Sequence, residues 1–258
     1  ELIAPSAGTF VLRGTFPVPK GTYPRADKKE PFSVRNYDGL VVPTQVEIAS
    51  RYPLDQDGAD VVEVLARVDV PPGTPPDTRI RYEVVNNPHL DGKLPVKQPV
   101  LQLASKPGQV LLIADDVFGN RYGLDLLEDV RTSVGGQGPG KVMRQGSGAV
   151  TIRTYGVMEP DPAAPKGAPN GALPHLFGAH TYFTAWAWSD VVSLDLRINN
   201  AASGLDKQTS EDDPLGKAYF ESLELWVPKG WTLLPDVIDP YWGATRDEGS
   251  WTAYELVR

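Results

Sequence analysis

Short segments that alternate between apolar and polar residues, each closed by a turn dipeptide, occupy most of this chain. In Val61–Val68 the apolar side chains of every second residue fall on one face, while Glu63 and Arg67 fall on the other. That period of two is typical of a strand with one buried face. Asp-Gly, Asn-Pro and Pro-Gly pairs separate the segments and supply turns. The pattern predicts an all-β fold, with strands at Thr9–Arg13, Leu40–Ile48, Val61–Val68, Arg79–Val85, Gln109–Asp115, Val150–Val157, Ala179–Trp188, Asp190–Asn199, Lys217–Val227 and Trp231–Ile238.

The composition narrows the class of protein. Gly 25 and Pro 25 in 258 residues fit a turn-rich globular chain rather than a collagen-like or disordered one. No apolar run reaches the roughly 18 residues of a membrane-spanning helix, so we expect no membrane span. The net charge of −8, with no basic run longer than Lys28-Lys29, argues against a nucleic-acid partner. The absence of cysteine excludes disulfides, thiolate zinc sites and cysteine nucleophiles.

We expect two domains, with a soft boundary in Leu94–Pro99. Residues 1–95 contain short strands and predict a small barrel that closes its own edges. Residues 96–258 contain longer strands and all 6 tryptophans, and predict a larger antiparallel β-sandwich. Tyr122–Val130 and Leu215–Leu225 fit helical turns as well as strands. The chain begins at Glu1 without a signal peptide, so we expect a processed or trimmed piece of a longer protein.

The aromatic strand around residue 185 is the most informative candidate for binding. A period of two places Tyr182, Trp186 and Trp188 on one face of this strand. For Trp186 and Trp188 the core is the preferred position, since most tryptophans are buried. The alternative is an exposed face, where a flat indole can stack on a pyranose ring. His180 opens the same strand. Trp186, Trp188 and His180 are therefore candidate carbohydrate-binding residues.

Tyr241 and Trp242 are the preferred candidates for an exposed binding residue. They lie in a turn-rich segment, Asp239–Gly243, and loops hold a large share of binding residues. The histidines are weaker candidates for a functional site. His175 and His180 are separated by an odd spacing, so a shared metal ion would need a bend between them, and a structural or exposed histidine is the preferred interpretation.

Asp55, Asp57 and Asp60 surround Gly58 and suggest a calcium site. Calcium takes several oxygen ligands from a tight loop. The twelfth position counted from Asp55 is Ala66, however, whereas a full calcium loop ends in a bidentate glutamate. A solvated acidic turn between two strands is thus preferred over calcium, and no other cofactor is expected. The oxygen-rich segment from residue 115 to residue 120 has the same two interpretations.

Several segments of the first 95 residues carry a family resemblance: Phe10–Arg25, Pro31–Val34, Val42–Glu47, Ser50–Pro53 and Asp57–Val64. On these segments the chain resembles the N-terminal RIFT-barrel domain of the bacterial exo-rhamnogalacturonan-lyase-like family. The later part, including Pro174–Gly178, is similar to the β-sandwich that follows that barrel. The family continues into an α/α toroid that belongs to the lyase proper, and nothing up to Arg258 resembles it. The resemblance implies an extracellular or cell-surface, carbohydrate-related protein and carries over no lyase residue.

We therefore expect a non-catalytic carbohydrate-binding or scaffolding region of an extracellular polysaccharide-lyase-like protein. Its expected partner is a polysaccharide such as pectin or rhamnogalacturonan, or a neighbouring domain of a longer chain. One alternative is a structural subunit of a surface layer, fibre or appendage, in which edge strands and the Glu1–Ser6 arm pair between copies. Another is a polysaccharide lyase or glycoside hydrolase, although the 33 acidic residues single out no catalytic pair.

Overall fold

The computed structural model describes residues 2–3, 7–23, 32–52, 55–86, 106–128, 141–146, 148–161, 172–187, 189, 191–200, 218–234 and 242–256. Every element formed by these residues is a β-strand, so the all-β prediction is confirmed. The described residues contain no helix long and apolar enough to cross a membrane. The strands are β1 (Leu2–Ile3), β2 (Gly8–Pro17), β3 (Phe32–Arg35), β4 (Val41–Val42), β5 (Thr44–Tyr52), β6 (Asp55–Val70), β7 (Arg79–Ile80), β8 (Glu83–Asn86), β9 (Leu111–Asp116), β10 (Arg121–Asp125), β11 (Lys141–Gln145), β12 (Ala149–Val157), β13 (Glu159–Pro160), β14 (Phe177–Trp186), β15 (Val192–Asn200), β16 (Phe220–Pro228), β17 (Trp242–Glu248) and β18 (Trp251–Leu256).

The chain forms two compact units, and each is assembled from three segments. Unit 1 contains Glu1–Lys97, Val142–Thr151 and Thr184–Ser193. Unit 2 contains Gln98–Lys141, Ile152–Phe183 and Leu194–Arg258. The boundary expected at Leu94–Pro99 falls outside the described residues, and it stays a prediction.

Unit 1 is built around the long strand β6. This strand is central in the sheet β2-β6-β5, and a second sheet has the order β4-β3-β8. The predicted apolar face is confirmed, because Val62, Val64 and Ala66 are all buried. Glu63, on the opposite face, is buried as well and forms ion pairs with Arg13 and with the segment from residue 142 to residue 151. The middle of β6 is therefore covered on both faces.

Unit 2 contains a six-stranded antiparallel sheet with the order β13-β10-β9-β16-β18-β17. Its inner face carries buried apolar residues such as Leu112, Leu225 and Val227. The pairing of β9 with β16 shifts by one residue between Phe220 and Ser222, which is a β-bulge. Beyond the bulge, every second residue of β16 from Ser222 onward points to the outer face.

Parts of β12, β14 and β15, from the four-stranded sheet β11-β12-β14-β15, form the second layer of unit 2. The inner faces of the two layers meet where the rings of Phe177 and Phe220 contact edge-on, with centroids 5.2 Å apart. Thr154 Oγ1 also donates a hydrogen bond of 3.0 Å to the carbonyl oxygen of Leu126. Unit 2 therefore has the character of a sandwich, with two outward-facing sheet surfaces.

Two local predictions are wrong. The strand expected at Trp231–Ile238 is absent over its described part, because the Trp231 N–H bonds back to the Pro228 carbonyl in a turn. The turn expected around Gly58 is a strand instead, since β6 already begins at Asp55 and pairs there with Tyr52. Each segment fits the expected structure by its local sequence, but the observed backbone hydrogen bonding is that of the other structure.

Candidate functional site

The predicted binding residues lie in different parts of the molecule. Tyr241 and Trp188 fall outside the described residues, and Trp242 is described only as the first backbone position of β17. Trp186 ends β14 in unit 1, is partly exposed, and donates its indole N–H to Ser193 Oγ at 2.7 Å. His180 lies on the same strand in unit 2 and is also partly exposed. These predictions about binding roles stay predictions.

The predicted calcium ligands lie in extended backbone. Asp55 and Asp57 begin β6, and Asp60 is a partly exposed residue of the same strand. No group of three or more histidine or carboxylate side chains within the described ranges could hold a metal ion. In the second oxygen-rich segment, Asp116 accepts backbone N–H groups of Phe118 and Asn120 at 2.9 and 2.8 Å. Asp116 thus acts as a turn-forming residue, and calcium binding by the first group stays a prediction.

The alternation predicted for the aromatic strand is confirmed. Phe183 and Ala185 are 2% and 4% exposed and face the core. Tyr182 and Trp186 lie on the other face and are partly exposed. That face is thus partly open to solvent rather than sealed in the core. Its unit 2 residues, together with their neighbours on β12 and β15, form a surface that we call the tyrosine face: Arg153, Tyr155, His180, Tyr182, Asp195, Arg197 and Asn199.

Two rows of side chains cross the tyrosine face. In the first row the rings of Tyr155 and His180 lie 4.5 Å apart at an interplanar angle of 39°. Residue numbers rise along β12 as they fall along β14, so Arg153 lies opposite Tyr182 in the second row. From the other side, Arg197 places its guanidinium carbon 5.2 Å from the centroid of Tyr182. Tyr182 therefore lies between two arginine positions on a surface where Tyr155 is 47% exposed.

The tyrosine face carries two arginines and one aspartate. Arg197 donates to Asp195 at 3.0 Å, and this interaction raises the pKa of the guanidinium. Arg153 makes no hydrogen bond or ion pair with any residue that the structure describes. Among the described residues, Arg153 is thus the cation of this face without a carboxylate partner, in a chain whose net charge is −8.

The outer face of the six-stranded sheet carries a second set of aromatic and charged side chains, which we call the tryptophan face: Asp115, Arg121, Ser222, Glu224, Trp226, Arg246, Glu248 and Trp251. The rings of Trp226 and Trp251 lie 5.8 Å apart and are tilted by 45°. The Trp226 indole N–H donates to Glu224 Oε2 at 2.7 Å, and that of Trp251 donates to the Gly108 carbonyl at 2.8 Å. Both indoles are partly exposed and held in fixed orientations.

Ion pairs border the two indoles. Arg246 binds both carboxylate oxygens of Glu224, which is 4% exposed, and its Nε donates to Glu248. These two carboxylates raise the pKa of the Arg246 guanidinium, with Glu224 contributing most. Arg121 similarly donates to both oxygens of Asp115, each at 2.8 Å. The pKa of Asp115 is lowered by this arginine above all, so the carboxyl stays ionised at neutral pH.

Sequence reasoning did not predict the tryptophan face. Trp226 and Trp251 belong to different strands, and they meet only because β16 and β18 pair with Trp226 opposite Ala253. The indication that the sequence does contain is that all 6 tryptophans follow residue 185. Which of those tryptophans meet depends on strand register, which the sequence pattern does not specify.

Two cavities complete the candidates. A groove of about 1130 Å³ in unit 1 is lined in part by Tyr37, which is 78% exposed. Its charged lining consists of three arginines and three carboxylates, so it has no net charge with which to select an ion. A smaller cavity of about 300 Å³ in unit 2 is lined by Asp125, Glu128 and Glu159. Asp125 is already used there, because its oxygens accept two backbone N–H groups.

Comparison with known proteins gives no relative: no protein-family model, no curated protein and no solved structure matches this chain. The tyrosine face and the tryptophan face are therefore interpreted from their own chemistry.

Proposed function

We propose that this protein is a non-catalytic carbohydrate-binding region that holds a polysaccharide on its tyrosine face. The observation that carries the proposal is the outward display of aromatic rings from two neighbouring strands. Tyr155 is 47% exposed, and His180 and Tyr182 lie beside it on the same sheet surface. Flat ring faces on a rigid sheet suit the apolar C–H face of a sugar ring, and little rotamer freedom is lost on binding.

The charge of the tyrosine face points to the kind of polysaccharide. Arg153 has no partner among the described residues and lies opposite Tyr182. A guanidinium can bind a carboxylate through two parallel hydrogen bonds. We therefore propose an acidic polysaccharide, in which a sugar ring contacts the exposed part of Tyr182, beside the guanidinium of Arg197, while its carboxylate binds Arg153. An acidic polysaccharide also agrees with the pectin or rhamnogalacturonan partner that is expected from the sequence.

Isothermal titration calorimetry and affinity electrophoresis test the proposal. The probes are polygalacturonate and rhamnogalacturonan, with galactan and mannan as neutral polysaccharides. We expect Tyr182→Ala to weaken acidic-glycan binding about tenfold or more, which corresponds to about 1.4 kcal/mol. Arg153→Gln should weaken it and flatten its dependence on salt, since one screened charge pair is lost.

Tyr219→Ala is the matched control. Tyr219 is 52% exposed but lies outside the tyrosine face, so its removal should leave binding unchanged. Absence of acidic-glycan binding at millimolar concentration would contradict the proposal. So would a Tyr182→Ala variant that folds and binds as the original protein does.

A structural subunit is the second candidate function, and strand β15 favours it. Among the described strands, β15 pairs with β14 alone, so one backbone edge faces away from the sheet. Leu194, Leu196 and Ile198 on its inward side are only partly buried. Such an edge can accept a strand from another copy. Light scattering from micromolar to millimolar concentration distinguishes the candidates: growth of the particle mass supports assembly, and a constant monomer mass opposes it.

A further inference from the structure

We infer that the tryptophan face is a second saccharide-binding site, separate from the tyrosine face, and that its ligand is a neutral sugar. The two faces are the outer surfaces of opposite layers of unit 2, so they point away from each other. This inference goes beyond the proposed function and does not depend on it, because it rests on a different set of residues.

The two indoles provide the stacking surface. Trp226 and Trp251 are fixed by hydrogen bonds of 2.7 and 2.8 Å from their ring N–H groups, so binding need not restrict their rotation. Their tilt of 45° and centroid distance of 5.8 Å leave the rings neither parallel nor stacked on each other. The pair therefore presents two differently inclined apolar planes to one side of the sheet. A sugar ring with an apolar C–H side and hydroxyl groups around its rim fits such a seat.

The polar groups at the rim suit hydroxyl groups. Arg246 and Glu248 are 43% and 37% exposed at their side chains, so they can reach a bound ligand. Each pair of guanidinium and carboxylate offers donors and acceptors side by side, and a hydroxyl group needs one of each. Glu224 is 4% exposed and holds both Trp226 and Arg246, which fixes the rim relative to the indoles. The site is thus preorganised by the buried carboxylate of Glu224.

The charge balance selects a neutral ligand. The tryptophan face has three carboxylates, Asp115, Glu224 and Glu248, against two guanidinium groups. A further carboxylate, Glu255, lies opposite Glu224 on the same side of the sheet. Each guanidinium already binds at least one carboxylate, and neither is left over for an anionic sugar. A sugar carboxylate here would meet a net negative surface and would bind less well. The tyrosine face differs, because Arg153 has no carboxylate partner there among the residues that the structure describes.

Titrations with defined sugars test the inference on the whole chain. Galactan and mannan oligosaccharides are the neutral probes, and oligogalacturonate is the acidic one. In ¹H–¹⁵N spectra, neutral probes should shift the indole signals of Trp226 and Trp251. Trp226→Ala and Trp251→Ala should each weaken neutral binding at least tenfold. Trp231→Ala is the matched control, since Trp231 is partly exposed and lies outside the face, and it should bind neutral probes normally.

The experiments distinguish failure of the second-site inference from failure of the proposed function. Tyr182→Ala should leave neutral binding unchanged, and loss of neutral binding in this variant would overturn the inference of two sites. Neutral probes that shift neither indole signal at millimolar concentration would also overturn it, whatever the acidic probe does. If the alanine variants do not fold, the indole shifts of the original protein still test whether neutral sugars bind at the tryptophan face. Absence of acidic binding alone removes the proposed function and leaves the second site standing.

Discussion

Two glycines show how strongly a single position can depend on its surroundings. A Cβ placed on Gly148 would come within 2.8 Å of the Cβ of Leu65, which is buried and cannot move aside as a flexible side-chain end could. We expect Gly148→Ala to lower the free energy of unfolding by about 1–3 kcal/mol through overpacking. Gly14→Ala is the control, because a Cβ there meets nothing within 4 Å. Urea unfolding of both variants is the measurement, and equal stability of the two would refute the tight packing at Gly148.

The pair of Asp115 and Arg121 predicts a dependence on pH. Arg121 lowers the folded-state pKa of Asp115 below its usual value, so the pair stabilises the protein above about pH 4. This contribution is lost as the pH falls through the lowered pKa. We expect Asp115→Asn to reduce the free energy of unfolding at pH 7 by at most about 1 kcal/mol, since the pair is partly exposed.

Denaturant unfolding between pH 2 and pH 7 measures the effect of Asp115→Asn. The gap in unfolding free energy between the variant and the original protein should shrink as the pH falls below about 4. Asp247→Asn is the control, because Asp247 is 69% exposed and its pair with Lys229 should contribute less. A gap for Asp115→Asn that stays constant, or that widens with acid, contradicts the role assigned to Arg121.

At the scale of single elements, the bulge in β16 takes up one extra residue, so that Phe220 lies on the inner face of the sheet while Ser222 lies on the outer face. Phe220 pairs with Asp116 and Ser222 with Asp115, so Glu221 is the extra residue. Deletion of Glu221 should restore regular pairing, keep Glu224 and Trp226 on the outer face, and cost about 1–2 kcal/mol of stability. Deletion of Ile113 from β9 is the contrasting variant, because it turns the following side chains to the opposite face. Circular dichroism and denaturant unfolding compare them, and a Glu221 deletion as damaging as the Ile113 deletion would refute this account.

Strands and their faces were predictable from the sequence where alternation is local. The buried face of β6 and the inward position of Phe183 both follow from a period of two. The tryptophan face was not predictable in this way, because Trp226 meets Trp251 only through the pairing of two strands. The strand expected at Trp231 failed for a related reason, since the hydrogen bonds of a turn replace a strand partner there. Register and turn bonding are non-local properties that periodicity does not encode.

At the scale of the whole molecule, unit 1 is assembled from segments far apart in the sequence. Gln45, which is 6% exposed, accepts the backbone N–H groups of Gly148 and Ala149 at 2.7 and 2.9 Å. Arg144 forms ion pairs with Glu47 and with the buried Glu63. A buried polar side chain that loses its partners costs about 1–3 kcal/mol, and more when it is charged. Residues 1–97 therefore depend on the segment from residue 142 to residue 151.

A fragment of residues 1–97 tests this dependence. We expect the fragment to unfold at lower denaturant concentration than the complete chain, or to lack a cooperative transition, because the partners of Gln45, Glu47 and Glu63 are missing. Gln45→Leu sharpens the test. In the complete chain this change strands two buried N–H groups and should cost about 2 kcal/mol or more. In the fragment those groups are absent, so the same change should be neutral or stabilising. A fragment as stable as the complete chain, with Gln45→Leu equally damaging in both, would mean that residues 1–97 form an independent domain.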